Sequence, residues 1–259
     1  GFERRYFYDA LARPVATAET HGFHVFSTSR GYDLYSRPES VTYPSGFATR
    51  QVYNASGHLS EVQNGANPST LYWRGLPGDA RGQVTQETLG NGIVTDRAFD
   101  ANTGLIQGIT STLVSSGDVQ KLGFTFDLIG NLTERRDKRF STHFVEVFGY
   151  DTLNRLQTVS TTGAAAVTCA YNDLGNLTSR SDVGTLNYAS SGTGPHALTS
   201  VTGSSGGALN KTCSYDVKGN RTTDGGTVLD YSSFNKPTRI RKGGDTLSFD
   251  YGPDRALYR

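Results

Sequence analysis

The sequence predicts an all-β protein made of tandem β-hairpin repeats that share one continuous antiparallel sheet. Three observations predict this fold class: a composition rich in Gly and aromatic residues, an aromatic–Asp pattern that recurs along the whole chain, and a turn signal after each copy. Tyr, Phe and Thr favour strands, whereas Gly, Asn and Asp favour tight turns. Such a mixture suits many short strands joined by short connections.

The composition excludes several classes of protein. Hydrophobic residues make up only 35% of the 259 residues, yet 14 Tyr and 13 Phe are present, which is too aromatic for a disordered chain. The 25 Lys and Arg residues balance 24 Asp and Glu residues, so no basic surface for nucleic acid is predicted. No apolar run approaches the ~20 residues that a membrane-spanning helix needs, so we predict no membrane span.

One pattern recurs along the chain. It consists of an aromatic residue at the end of a strand, Asp or Asn, two variable residues, and then Gly or Asn before the returning strand. The spacing is 24 residues from Tyr8 to Tyr32 and 21 residues from Tyr150 to Tyr171. Degenerate copies fill two longer gaps, around residues 79–92 and 188–203. About a dozen copies then tile residues 1–259 without a linker, which predicts one repeat domain belonging to a longer protein.

Each residue type in the pattern has a physical reason. The Asp or Asn side chain can accept hydrogen bonds from main-chain amides of the turn. The following Gly adopts a left-handed backbone, and Asn154 substitutes for it because Asn tolerates that conformation. A single hairpin is marginally stable, whereas stacked hairpins extend one sheet. We therefore predict these structural repeat residues: Tyr8, Asp9, Tyr32, Asp33, Tyr53, Phe99, Asp100, Phe126, Asp127, Gly130, Tyr150, Asp151, Tyr171, Gly175, Tyr215, Asp216 and Gly219.

Signals for catalysis or metal binding are weak. His21 and His24 are three residues apart, and within one strand they would face opposite sides of the sheet. His58, His143 and His196 are scattered along the chain. The recurring aspartates occupy the same turn position, which a turn role explains without acid–base chemistry. We predict no catalytic residue, no metal ligand and no cofactor.

The two cysteines are predicted to be free. Cys169 and Cys213 each lie two residues before the aromatic residue of their repeat. Two repeats correspond to four strands, or ~19 Å, whereas a disulfide needs Cα atoms within ~7 Å. Both side chains should pack as small apolar residues.

The clearest copies resemble a known family of repeats. YDTLNRLQTV, YNDLGNLTSR and YDVKGNRTT, together with PHALTSVTG and SFDYGPDRALYR, resemble the Rhs/YD-repeat family over essentially the full chain. That family includes bacterial polymorphic toxins, the shell-forming subunits of Tc toxin complexes and the teneurin shells of animals. The resemblance implies a continuous sheet that spirals into a partial barrel or cocoon-like shell. Self-cleavage in bacterial members depends on a DPxG-like motif that this chain lacks, so we assign no protease activity.

The resemblance implies a function that depends on geometry. We expect a non-enzymatic segment of a secreted or cell-surface bacterial shell that encapsulates a toxin cargo, with the rest of the parent protein and the cargo as partners. One alternative is a carbohydrate-binding or adhesion repeat, whose solvent-facing aromatic residues would stack on sugar rings. Another is a filament subunit of the extracellular space, in which unpaired edge strands pair between chains. Buried aromatic residues would favour the shell.

Overall fold

The structure is a computed structural model that describes residues 2–76, 78–140, 142, 144–189, 194–203, 210–252 and 254–257. Every regular element in these ranges is a β-strand, which confirms the predicted all-β class. No helix that is long and apolar enough to cross a bilayer occurs in them. The chain divides into two units, Gly1–Val145 and Glu146–Arg259, and each is described by itself.

The first unit is an up-and-down meander. In its described part, each strand pairs antiparallel with the strands that precede and follow it in the chain. The strands are β1 (Phe2–Tyr8), β2 (Pro14–His21), β3 (His24–Tyr32), β4 (Pro38–Thr42), β5 (Ala48–Tyr53), β6 (Leu59–Asn64), β7 (Leu71–Gly75), β8 (Gln86–Leu89), β9 (Ile93–Phe99), β10 (Ile106–Leu113), β11 (Gly117–Phe126) and β12 (Leu132–Asp137).

The second unit repeats the same topology. Its first strand, β13, begins with the last two residues of the first unit. Each later strand in the described part again pairs antiparallel with its neighbours in the chain. The strands are β13 (Phe144–Tyr150), β14 (Leu156–Thr161), β15 (Val167–Tyr171), β16 (Leu177–Arg180), β17 (Gly184–Tyr188), β18 (Leu198–Gly203), β19 (Lys211–Tyr215), β20 (Arg221–Asp224), β21 (Thr227–Tyr231), β22 (Pro237–Lys242) and β23 (Asp245–Ser248).

Most strands that precede a repeat turn end at the aromatic residue of the pattern, with a shift in register just before it, whereas β7 ends at Gly75. In β1, Phe7 pairs with Ala16 but Tyr8 pairs with Pro14. The same shift precedes Tyr32, Tyr53, Phe126, Tyr150, Tyr171, Tyr188, Tyr215 and Tyr231. Such a bulge strengthens the local twist and re-aims the chain into the turn. Because strands alternate in direction, the turns that follow odd-numbered strands lie at one edge of each unit's sheet. We call this edge the repeat-turn edge.

Few side chains are fully buried. In the described ranges the buried apolar residues are Val201 and Cys213, with 6% and 8% of their surface exposed. Thr95 and Ser111 are also buried, and their hydroxyl oxygens lie 2.8 Å apart across the strand pair β9–β10. With so little buried apolar surface, the contacts between neighbouring hairpins must supply much of the stability.

The prediction that both cysteines are free is confirmed, whereas Cys213 does not pack purely as an apolar residue, because its thiol donates to Asp224 Oδ1 at 3.9 Å. Cys169 lies in β15 and Cys213 in β19, four strands further along the meander. Both are free thiols, Cys169 half-buried and Cys213 buried.

The predicted geometry of His21 and His24 is wrong. These residues do not share a strand, because Gly22 and Phe23 form a turn between β2 and β3, and Gly22 has φ = 59°. The two histidines therefore lie directly opposite each other in register. Their rings lie 6.3 Å and 6.4 Å from the ring of Phe26. His143 lies outside the described residues, within which no cluster of three or more metal-ligating side chains occurs.

Candidate functional site: the repeat-turn edge

A single side-chain oxygen organises most of the repeat turns. In the turn after β3, the amide of Asp33 donates to the carbonyl of Arg37, and the amide of Ser36 donates to the carbonyl of Asp33, both at 3.0 Å. Asp33 Oδ1 accepts hydrogen bonds from the amides of Tyr35 and Arg37, both at 2.9 Å. The same set of bonds is made by Asp9, Asn54, Asp79, Asp127, Asp151, Asn172 and Asp216.

The residue three positions after this Asp or Asn has a left-handed backbone. Gly130, Gly175 and Gly219 have φ angles of 90°, 83° and 82°, and Asn154 has φ = 60°, which confirms the conformational prediction for these positions. Ala12 occupies the same position with φ = 59°, at a conformational cost that Gly does not have.

An arginine connects one repeat with the next. Arg37 Nε donates to Asp33 Oδ2 at 2.7 Å, and the guanidinium carbon lies 4.2 Å from the ring centre of Tyr53 in the next repeat. This arrangement combines a charge-assisted hydrogen bond with a cation–π contact. The first unit also has it at Arg13, between Asp9 and Tyr32, and the second unit has it at Arg155, between Asp151 and Tyr171.

Sequence reasoning missed these arginines. Their signal is the spacing of four residues after the turn aspartate, which is the same for Arg13, Arg37 and Arg155.

The tyrosine hydroxyls link the repeats in a second way. Tyr53 donates to the carbonyl of Pro38 at 2.6 Å, and Pro38 is the residue paired with Tyr32. Tyr32 in turn donates to the carbonyl of Pro14, the residue paired with Tyr8, at 2.9 Å. In the second unit the equivalent bonds run from Tyr171 to Leu156, Tyr188 to Leu177, Tyr215 to Leu198, Tyr231 to Arg221 and Tyr251 to Pro237. Phe99 and Phe126 lack the hydroxyl and interrupt this series in the first unit.

Most aromatic residues of the pattern pack between neighbouring repeats. Tyr8, in the first repeat, has 60% of its surface exposed, whereas Tyr32, Tyr53, Tyr171 and Tyr215 are half-buried. Burial raises the pKa of Tyr171 and Tyr215, with a smaller contribution from the neighbouring cysteines. The rings therefore do not form a fully solvent-facing row.

The turn carboxylates are held in their charged form. The main-chain amide of Arg13 is the largest influence on Asp9, and together with the Arg13 guanidinium it lowers the pKa of that carboxyl despite partial desolvation. The same pair of groups on Arg155 lowers the pKa of Asp151. At Asp216 the side-chain amide of Asn220 makes the largest contribution to the lowered pKa. These carboxylates act as acceptors for turn donors.

Further polar contacts join adjacent turns. In the first unit, the Arg81 guanidinium donates to the carbonyls of Ala101 and Asn102 at 3.0 Å and 2.8 Å. In the second unit, the buried Asn176 donates to the carbonyl of Pro195 at 2.8 Å, and its side-chain oxygen lies 2.6 Å from Nδ1 of His196. His196 thus belongs to the contacts between turns.

Comparisons with known proteins concern the fold. The chain matches no protein-family model and no curated protein. Among solved structures it is similar to the TcdB2-TccC3-TEV complex, with a TM-score of 0.77 and 15% identity over 98% of this chain and 15% of that chain. A Photorhabdus luminescens Tc holotoxin pore with a substitution in TccC3 has a TM-score of 0.77 and 17% identity, over 99% of this chain and 15% of that chain.

The TcdB2-TccC3-Cdc42 complex is also similar, with a TM-score of 0.71 and 15% identity over 98% of this chain and 15% of that chain. This chain therefore spans about 15% of the length of the chains that it resembles. At these identities the likeness shows a shared fold: the antiparallel hairpin sheet of this protein has the architecture of a part of the Tc toxin complexes.

Proposed function

We propose that this chain is a non-enzymatic segment of an Rhs/YD-repeat shell that encloses a toxin cargo in an exported bacterial protein. One observation carries the proposal: the recurring geometry of the repeat turns joins successive hairpins. The Asp–Arg–Tyr contacts and the tyrosine hydroxyl bonds both cross from one repeat to the following one. A shell that acts by enclosing its contents needs such contacts between successive hairpins.

The other interpretations have less support. A sugar-binding platform needs accessible rings, whereas Arg37 covers Tyr53, Arg155 covers Tyr171, and both tyrosine hydroxyls already have acceptors. A filament needs pairing between edge strands of separate chains, for which these contacts within the chain are not required.

The proposal extends to the organisation of the protein. Residues 1–259 form one repeat domain of the shell, and the aromatic, Asp and Gly residues of each copy are its structural repeat residues. The partners are the remainder of the parent protein and the cargo, and the site of action is outside the cell or on its surface. The motif resemblance and the fold shared with parts of the Tc complexes support this organisation.

Protease protection in the intact parent protein tests the proposal. Trypsin should cleave the cargo region far more slowly inside the parent than in the isolated cargo, and electron microscopy should show a closed wall around it. Replacing Arg13, Arg37 and Arg155 together by Ala should speed cleavage, because the joints between repeats are weakened. Arg50→Ala is the matched control, since Arg50 forms only an exposed ion pair with Glu39 among the described contacts.

Equal cleavage of enclosed and isolated cargo would refute encapsulation. Regular filaments of the purified chain, or binding to a glycan array through its aromatic residues, would replace the proposal with one of the alternatives.

A further inference from the structure

A groove of about 700 Å³ opens at the repeat-turn edge of the first unit, between the turns of Asp100 and Asp127. Phe124 and Phe126 of β11 line it, together with Leu105, the residue before β10. Ile129 lies at its rim with 69% of its surface exposed. The groove thus has an apolar lining and opens to solvent.

This junction lacks the arginine that covers the aromatic ring at three other junctions, those of Arg13, Arg37 and Arg155. The amide of Asp100 donates to the carbonyl of Leu105 at 2.9 Å, just as the amide of Asp33 donates to the carbonyl of Arg37. Leu105 therefore occupies the same position in the turn of Asp100 as Arg37 occupies in the turn of Asp33. In the described part of the chain, no guanidinium lies over the ring of Phe126.

The carboxylates beside the groove also lack a cationic partner. Within the described ranges, Asp100 and Asp127 form no ion pair, although Asp33 is paired with Arg37. Asp100 Oδ2 accepts a hydrogen bond from the Gln107 side chain at 3.2 Å. Asp127 Oδ2 accepts one from the Asn131 side chain at 2.9 Å.

The charge of Arg81 contributes to the lowered pKa of Asp100, but its guanidinium is hydrogen-bonded to the carbonyls of Ala101 and Asn102. The groove is therefore lined both by aromatic rings and by two carboxylates that form no ion pair within the described residues.

We propose that this groove binds an arginine side chain presented by a polypeptide segment outside these 259 residues. The guanidinium would lie against the face of Phe126 and donate to Asp100 and Asp127, while the aliphatic stem would pack on Leu105 and Ile129. The incoming arginine reproduces, from another segment, the contact that Arg37 makes with Tyr53 inside the chain. The inference is independent of what the shell encloses.

A pair of isosteric probes tests the occupant. N-acetyl-argininamide and N-acetyl-citrullinamide differ in the charge of the head group and are titrated into the ¹⁵N-labelled chain. The arginine probe should shift the amide resonances of residues 126–130, and the citrulline probe should bind about tenfold more weakly, because it provides no cation for the ring and the carboxylates. Equal binding of the two probes would overturn the proposal.

Substitutions in the chain test the location. Leu105→Arg places an arginine in the groove from within and should abolish binding of the arginine probe. Val114→Arg adds the same charge at the opposite edge, where Val114 is 91% exposed, and should leave binding within about twofold of wild type.

The double variant Asp100→Asn and Asp127→Asn should weaken binding about tenfold. This double variant tests the proposal even if Leu105→Arg fails to fold. It should itself fold, because Asn54 and Asn172 occupy the same turn position in other repeats. Undiminished binding to this double variant would place the probe elsewhere and refute the proposal.

Discussion

The guanidinium carbon of Arg37 lies 4.2 Å from the ring centre of Tyr53, while Nε of the same side chain donates to Asp33 at 2.7 Å. Asp33 begins the turn after β3, and Tyr53 ends β5 in the next repeat, so one side chain couples two successive hairpins. Where few side chains are fully buried, contacts between neighbours largely determine the stability of a repeat array.

The first prediction concerns this arginine. Arg37→Ala should lower the free energy of unfolding by about 1 kcal/mol, because the contact with the Tyr53 ring is lost. Arg37→Lys should restore only part of the loss, since Lys lacks the planar guanidinium. Urea denaturation measures both changes. Arg50→Ala, which removes an exposed ion pair with Glu39, should cost less than about 0.5 kcal/mol, and an equal loss in the two Ala variants would contradict the prediction.

The second prediction concerns the tyrosine hydroxyls. Tyr171→Phe removes the 2.8 Å hydrogen bond to the carbonyl of Leu156 and keeps the ring. It should reduce the free energy of unfolding by about 1 kcal/mol, measured by chemical denaturation. Tyr35→Phe is the matched control, because Tyr35 is 79% exposed in a turn and its hydroxyl forms no hydrogen bond within the described residues. If both variants are as stable as wild type, the hydroxyl bonds do not hold the repeats together.

The third prediction concerns the left-handed turn position. Gly130 has φ = 90° and open space where a Cβ would lie, so Gly130→Ala should destabilise the protein through the backbone alone, by about 1 kcal/mol. Ala12→Gly should have the opposite sign, because Ala12 has φ = 59°. The control is Gly244→Ala, where a Cβ also meets open space but φ is not positive. Thermal unfolding measures the stability of all three variants. A loss of stability in Ala12→Gly would show that strain is not the controlling factor.

The fourth prediction concerns acid. The pKa of Asp9 and Asp151 is lowered in the folded protein, chiefly by the amides of Arg13 and Arg155. A carboxyl with a lowered folded pKa contributes stability that is fully present above its unfolded pKa, and the contribution is lost as the pH falls through the folded pKa. The free energy of unfolding should therefore be level at neutral pH and fall as the pH drops below the ordinary Asp value of 3.8.

Urea denaturation at a series of pH values measures this loss. Asp151→Asn should reduce the acid sensitivity, since Asn172 already shows that an amide oxygen serves in the turn. The control is Asp245→Asn at the start of β23, whose side chain forms no hydrogen bond in the described ranges. An unchanged pH profile for Asp151→Asn would mean that other groups control acid unfolding.

The local structure of the repeat turns can be predicted from residue types and their spacing. The bonds from Asp33 Oδ1 to the amides of Tyr35 and Arg37 lie within five residues, so the pattern in the sequence already contains both partners. The positive φ of Gly130 and Asn154 follows for the same reason. The predicted geometry of His21 and His24 is wrong because the turn of Gly22 and Phe23 contains no Asp or Asn, so its sequence is similar to that of a continuing strand.

By itself, the sequence determined that this protein is a series of hairpins, with the Asp or Asn and the Gly of each turn in their places, because those interactions lie within a few residues of one another. Only the tertiary structure decided which groups meet across repeats. The register of the paired strands brings the Tyr53 hydroxyl to Pro38 and places Leu105 and Phe126 in one groove. A bulge before Tyr53 and before Phe126 shifts that register. Contacts set by register span many residues along the chain, so spacing alone could not specify them.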